Sequence, residues 1–174
     1  MIGVILGILV VALVSTLGDF VWYHFGVRHR ALAGILHGAV LLMSVGGVLG
    51  VAANRFLRGL PLGVLAGVGG ALAYYALLPL IGRSAMLASW VAVWLILAFL
   101  AGRVLSRAPI AAILVRGLIA AVLGGIAFYL VVDLLWGRPA GADRNYLVQF
   151  AAWTFAWAPG ILALTVGRSS PSRS

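Results

Sequence analysis

Six apolar runs of about twenty residues follow one another through this chain, parted only by short clusters rich in arginine, glycine and proline. Twenty residues of α-helix are about 30 Å long, the thickness of the hydrocarbon layer of a bilayer. The runs place spans at about 2–26, 31–53, 60–81, 86–105, 109–136 and 146–167. With 64% of its residues hydrophobic and 9% charged, the chain lacks the charge that a soluble domain of 174 residues needs to cover its surface. A backbone in hydrocarbon must satisfy its hydrogen bonds within the segment, so each run is a helix. The fold class expected is all-α: a polytopic membrane helix bundle of six transmembrane helices. It forms a single transmembrane domain over 1–167, and 168–174 is a disordered polar tail. The connections "VRHR", "NRFLRG", "GRSAM" and "SRAP" are short, which sets neighbouring helices antiparallel; "GRPAGADRN" is longer.

The polar residues exclude several classes. With no cysteine there is no disulfide, no thiolate nucleophile and no Cys-ligated metal centre. All twelve basic residues are arginine, and the acids are Asp19, Asp133 and Asp143. A net charge of +9 would suggest nucleic acid in a soluble protein. Here the arginines stand singly or in pairs at segment ends, where topology and lipid headgroups require them, so no nucleic-acid partner is expected and membrane lipids are. Six crossings put both ends of the chain on one side. That side collects Arg55, Arg58, Arg103, Arg107, Arg116, Arg168 and Arg173, against Arg28, Arg30, Arg83, Arg138 and Arg144 on the other. The excess predicts cytoplasmic termini. Arginine without lysine, in a chain rich in Ala, Gly, Val and Leu, is the bias of a GC-rich bacterial genome, hence a bacterial cytoplasmic (inner) membrane. The start "MIGVILGILVVALVST" lacks a basic n-region and a small-residue cleavage site, and reads as a retained first helix.

Glycines mark where helices approach closely. Gly46 and Gly50 are four apart on the second span, and Gly59, Gly63 and Gly67 run at the same spacing at the start of the third. An internal repeat is also visible. "GGALAYYALLPLIGR" (69–83) aligns without gaps on "GGIAFYLVVDLLWGR" (124–138), and Trp90 and Trp94 match Trp153 and Trp157 downstream. "DFVW" at 19–22 echoes "DLLW" at 133–136, which makes the first hairpin a fainter third copy. The chain then divides into two or three tandem hairpins, about 1–57, 58–115 and 116–167. Copies in the same orientation are related by rotation about the membrane normal.

The unusual side chains gather in the half of the membrane away from the termini. All six tryptophans lie there, with Tyr23, Tyr74, Tyr75, Tyr129, Tyr146, Asp19, His24, His37, Asp133 and Gln149. Interfacial belts account for Trp22 and Trp136, but Trp94, Trp157 and Tyr74 lie two or more turns from a loop. Asp19 lies roughly 12 Å, and His37 roughly 9 Å, from the same membrane surface by helix rise. The first hairpin can bring a carboxylate and an imidazole together, each offsetting part of the other's desolvation. Ser15, Thr16, Trp22 and Tyr23 share Asp19's face. An acid at this depth is either a structural lock or a proton- or cation-binding group. Asp133 is nearer a loop and can snorkel or pair with Arg138.

No metal-ligand spacing, nucleophile elbow or phosphate-cradling loop occurs, so no catalytic residue, metal ligand or cofactor is assigned. The reading is a small transporter, channel or small-molecule-binding membrane protein. Its candidate ligand- or proton-binding residues are Asp19, His37, Trp22, Tyr23, Tyr74, Trp94, Tyr129, Asp133 and Trp157. A non-catalytic accessory subunit of a larger membrane complex, with a membrane-protein partner or a second copy, is the alternative, and an intramembrane enzyme the third.

Overall fold

The computed structural model describes residues 2–24, 29–106, 109–136 and 146–165. They form six helices: α1 (Ile2–His24), α2 (Arg30–Ala52), α3 (Phe56–Ile81), α4 (Ala85–Ala101), α5 (Ile110–Trp136) and α6 (Tyr146–Thr165). A single 3₁₀ turn, Gly82–Ser84, leads into α4, and a π turn, Gly102–Ser106, ends it. All six helices are long and apolar enough to cross a bilayer, and the described residues contain no strand. The protein is an all-α, multi-pass membrane protein.

The helices pack in chain order around a ring. Each touches its sequence neighbours, and α1 closes the ring against α6. Outward faces carry exposed Leu6, Leu13, Leu36, Leu65, Leu114 and Leu118, the surface expected against acyl chains. Inward faces of the described residues pack together at the centre. Val11, Val45, Leu49, Trp94, Leu97, Trp157 and Ile161 are fully or almost fully buried there.

The turn between α2 and α3 is tighter than the sequence suggests, and α3 starts at Phe56 instead of near residue 60. Asn54 takes the left-handed conformation (φ 53°), which asparagine tolerates. This lets Arg55 N–H reach Gly50 O at 2.7 Å and Asn54 N–H reach Val51 O at 3.0 Å. The glycine ridges then meet across the α2–α3 seam. A Cβ added at Gly46 would lie 2.6 Å from Gly63 N, and one at Gly50 would lie 2.9 Å from Arg55 O. One at Gly67 would run into the Gly38 carbonyl. Lipid supplies no hydrophobic drive between helices, so this backbone-to-backbone contact is what holds the pair. Tyr75 adds a hydrogen bond from its hydroxyl to Arg30 O at 2.7 Å, and Ser89 ties α4 to α3 by donating to Gly70 O at 2.6 Å. On the side of the termini, Arg55 donates to Val104 O at 3.1 Å and links the α2–α3 turn to the end of α4.

Candidate functional site

The polar groups concentrate where α1 meets α6. Ser15 and Asp19 are one helical turn apart on α1, and Trp157 and Trp153 are one turn apart on α6. The helices run antiparallel, so the pairs meet in register. Trp157 Nε1–H donates to Ser15 Oγ at 2.9 Å, and Trp153 Nε1–H donates to Asp19 Oδ2 at 2.8 Å. Ser15 and Thr16 donate their own hydroxyl protons back to Val11 O (2.9 Å) and Ala12 O (2.8 Å). The result is a two-rung polar ladder across the seam at which the first and last helices close the ring.

His37 of α2 lies on the other flank of this stretch. Its ring rests on Gly18, where a Cβ would come within 2.6 Å of Nδ1 and run into Cε1. Glycine at 18 is what lets the imidazole lie beside the backbone just before Asp19. Asp19 and His37 are half-buried; Ser15 and Thr16 are buried. The acid therefore has companions from two other helices and does not stand bare in acyl chains.

Behind the ladder lies a tryptophan cluster. Trp153 and Trp157 stack with ring centres 6.2 Å apart, Trp157 sits 4.9 Å from Trp90 and 5.8 Å from Trp94, and Trp90 and Trp94 meet edge to face at 6.1 Å. Trp94 is 0% exposed and is wedged between two glycines. A Cβ at Gly124 of α5 would lie 2.9 Å from its Nε1, and one at Gly160 of α6 would lie 2.8 Å from its Cε2. Among the described residues, the Trp94 indole N–H and the Gln149 carbonyl oxygen are buried without a hydrogen-bond partner.

Of the residues singled out from sequence, the structure thus joins Asp19, His37, Trp94 and Trp157 through Trp153 and Gly18. Trp94 and Trp157 are buried in the core. Tyr74 packs its ring against Tyr75, centres 5.1 Å apart, near the α2–α3 seam. The side chains of Trp22, Tyr23, Tyr129 and Asp133 lie outside the described residues, as does the tail 168–174. Nearer the membrane surface, Phe20, His24 and Tyr146 form a second aromatic group. The Phe20 and His24 rings stack at 4.1 Å, and Tyr146 Oη lies 3.3 Å from His24 Nδ1.

Sequence reasoning set Trp153 aside as half of a repeat and missed it as the partner of Asp19. The signal was present in the equal four-residue spacing of Ser15/Asp19 and Trp153/Trp157. Nothing local says that the first and last helices adjoin. Among the described residues no group of three or more His, Cys, Asp or Glu side chains converges as a metal site would. Comparison of the chain with protein-family models, with curated proteins and with solved structures gives no match.

Proposed function

We propose that this membrane protein binds, and as a carrier moves, a small molecule in a proton-linked manner at Asp19. One observation carries the reading: a carboxylate within a membrane-spanning segment, bonded to Trp153, with the His37 ring packed on the neighbouring Gly18, on the seam that closes the ring without a loop. A charge at such a position is costly and is kept only where helices or water shelter it. A purely structural lock would be made as well by a neutral serine, as Ser15 does one turn away. The imidazole supplies the second titratable group that proton exchange needs.

Trp153 reports directly on the acid it is bonded to. Tryptophan fluorescence titrated against pH in lipid nanodiscs is expected to show a transition that Asp19→Asn removes. The asparagine carbonyl keeps an acceptor for the indole, so the variant is expected to stay folded by circular dichroism. The same pH profile in the folded variant would refute the reading.

The repeat belongs to this proposal. Trp153 and Trp157 face the first helix of the hairpin next in the ring, α1. Trp90 and Trp94 likewise face α5, against Gly124 and Gly125. This supports hairpins related by rotation, with the working acid retained where α6 meets α1. Seven arginines on the terminal side favour cytoplasmic termini, and the composition a bacterial inner membrane.

The accessory-subunit reading has its own support. An open, largely apolar groove of about 510 Å³ runs between α4 and α5, lined by Leu87, Val91, Leu118, Ala121, Val122 and Ile126 among others. In that reading a membrane partner seats there. Stable co-purification of one partner, with no pH response from Asp19, would favour it. Intramembrane acid catalysis by Asp19 with Asp133 finds no support, because α1 and α5 are each ring neighbours of α6 and not of one another.

A further inference from the structure

We propose that the corner where the α2–α3 turn meets the end of α4 binds the headgroup of an anionic phospholipid through Arg55, Arg58 and Arg103. This corner lies at the opposite end of the bundle from Asp19, and its role does not depend on that residue's.

The backbone brings the three arginines to one place. Arg55 is the residue before α3, and Arg58 lies one turn on, its N–H donating to Arg55 O at 3.0 Å. Arg103 belongs to the π turn that ends α4. It adjoins Val104, whose carbonyl accepts from Arg55 Nη1 at 3.1 Å. The start of the second hairpin is thus set against the end of its own return helix, and α3 touches the π turn as well.

No carboxylate offsets this charge. Among the described residues the acids are Asp19, late in α1, and Asp133, late in α5. Alternating helix direction puts both at the other end of the bundle. The group that Arg55 does engage is a neutral carbonyl, which leaves its charge in place. Like charges gathered without a counter-ion repel one another, and an anion between them turns that repulsion into attraction.

Depth and surroundings select a lipid as the source of the anion. Arg55 stands just before the apolar span Phe56–Ile81, and Arg103 lies within the last turn of the span Ala85–Leu105. Both are at headgroup depth, and all three arginines are exposed. The side chains set between and beside them are apolar and exposed too: Phe56, Leu57 at 77% and Val104. A soluble phosphate would use the charges and leave this hydrocarbon surface bare. A phospholipid sets its phosphate against the guanidinium groups and its acyl chains against Phe56 and Leu57. The planar guanidinium fork matches phosphate oxygens with two parallel hydrogen bonds. A zwitterionic headgroup brings its own cation to the corner. An anionic one does not, and each arginine near the surface then adds about fivefold in affinity.

Native mass spectrometry of the full chain, with added phosphatidylglycerol or phosphatidylcholine of identical acyl chains, tests the site. The wild-type chain is expected to retain phosphatidylglycerol at least about twentyfold more tightly than phosphatidylcholine. Arg58→Gln and Arg103→Gln should each cut that preference about fivefold, and the double variant should abolish most of it. Arg30→Gln, exposed at the other end of the bundle, should leave it unchanged. An excess of glycerol 3-phosphate should not displace the lipid. Equal retention of the two lipids by the wild-type chain, whose folding is not in question, overturns the proposal. So does an Arg58→Gln/Arg103→Gln variant that is folded by circular dichroism and keeps the preference. Displacement by glycerol 3-phosphate would make the occupant a soluble phosphate compound and overturn the lipid assignment. An equal loss in Arg30→Gln would show a diffuse effect of net charge in place of a site, and overturns it as well.

Discussion

Gly160→Ala is the substitution for which the structure gives the clearest number. The added methyl would run into the six-membered ring of Trp94, with Cε2 2.8 Å away. Trp94 cannot retreat, because on its far side Gly124 already holds Nε1 and Cε2 at 2.9 and 3.2 Å from its own absent Cβ. Both contacts are with helix backbone positions, so relief requires α5 and α6 to separate or the indole to leave its rotamer. Overpacking of this kind costs about 1–3 kcal/mol. In Trp94→Phe the smaller ring leaves room for the methyl. The N–H it removes has no acceptor, so no hydrogen bond is lost. The Gly160→Ala/Trp94→Phe pair should therefore be more stable than the sum of its single variants, with a coupling of roughly 0.5–3 kcal/mol. Unfolding by sodium dodecyl sulfate in mixed micelles, followed by far-UV circular dichroism, measures all four proteins. Wild-type stability in Gly160→Ala, or no recovery in the double variant, would show that Trp94 is not clamped between the two glycines.

Other outcomes follow from the same packing. Trp157→Phe removes the donor to Ser15 and should cost about 0.5–1.5 kcal/mol for that bond beyond any loss of packing, measured against Trp94→Phe in the same micelles. Gly63→Val on α3 drives a branched side chain into the Leu42 carbonyl, and the α2–α3 seam should open; loss of folded yield in mild detergent, with Val64→Ala as the neutral control, checks it. Gly18→Ala displaces His37 and should alter the pH response of tryptophan fluorescence while leaving the α2–α3 contact intact, as read by the same titration. Reporter fusions at the two ends of the chain should both be active on the cytoplasmic side.

Much of the architecture was legible in one dimension. Twenty-residue apolar runs parted by arginine can only be membrane helices, and the Gly59/Gly63/Gly67 ridge announced the tightest seam because four-residue spacing lays glycines along one helix face. The gathering of tryptophan and acid in one half of the membrane was equally plain, since position along a span is depth. Azimuth is not readable in that way. On helices apolar all round, no periodicity says which face is inward, so the complete burial of Trp94 and Trp157 was not legible in the sequence.

The order of residues alone determined the class, the number of membrane-length helices and where along its helix each polar group falls, because hydrocarbon admits only helices and helix rise is fixed per residue. Only the tertiary structure decided who meets whom. Asp19 and Trp153 are 134 residues apart and were joined when the ring closed. That closure is a packing outcome: with no loop between α1 and α6, nothing local encodes it, and the rungs Ser15–Trp157 and Asp19–Trp153 meet only in the assembled bundle.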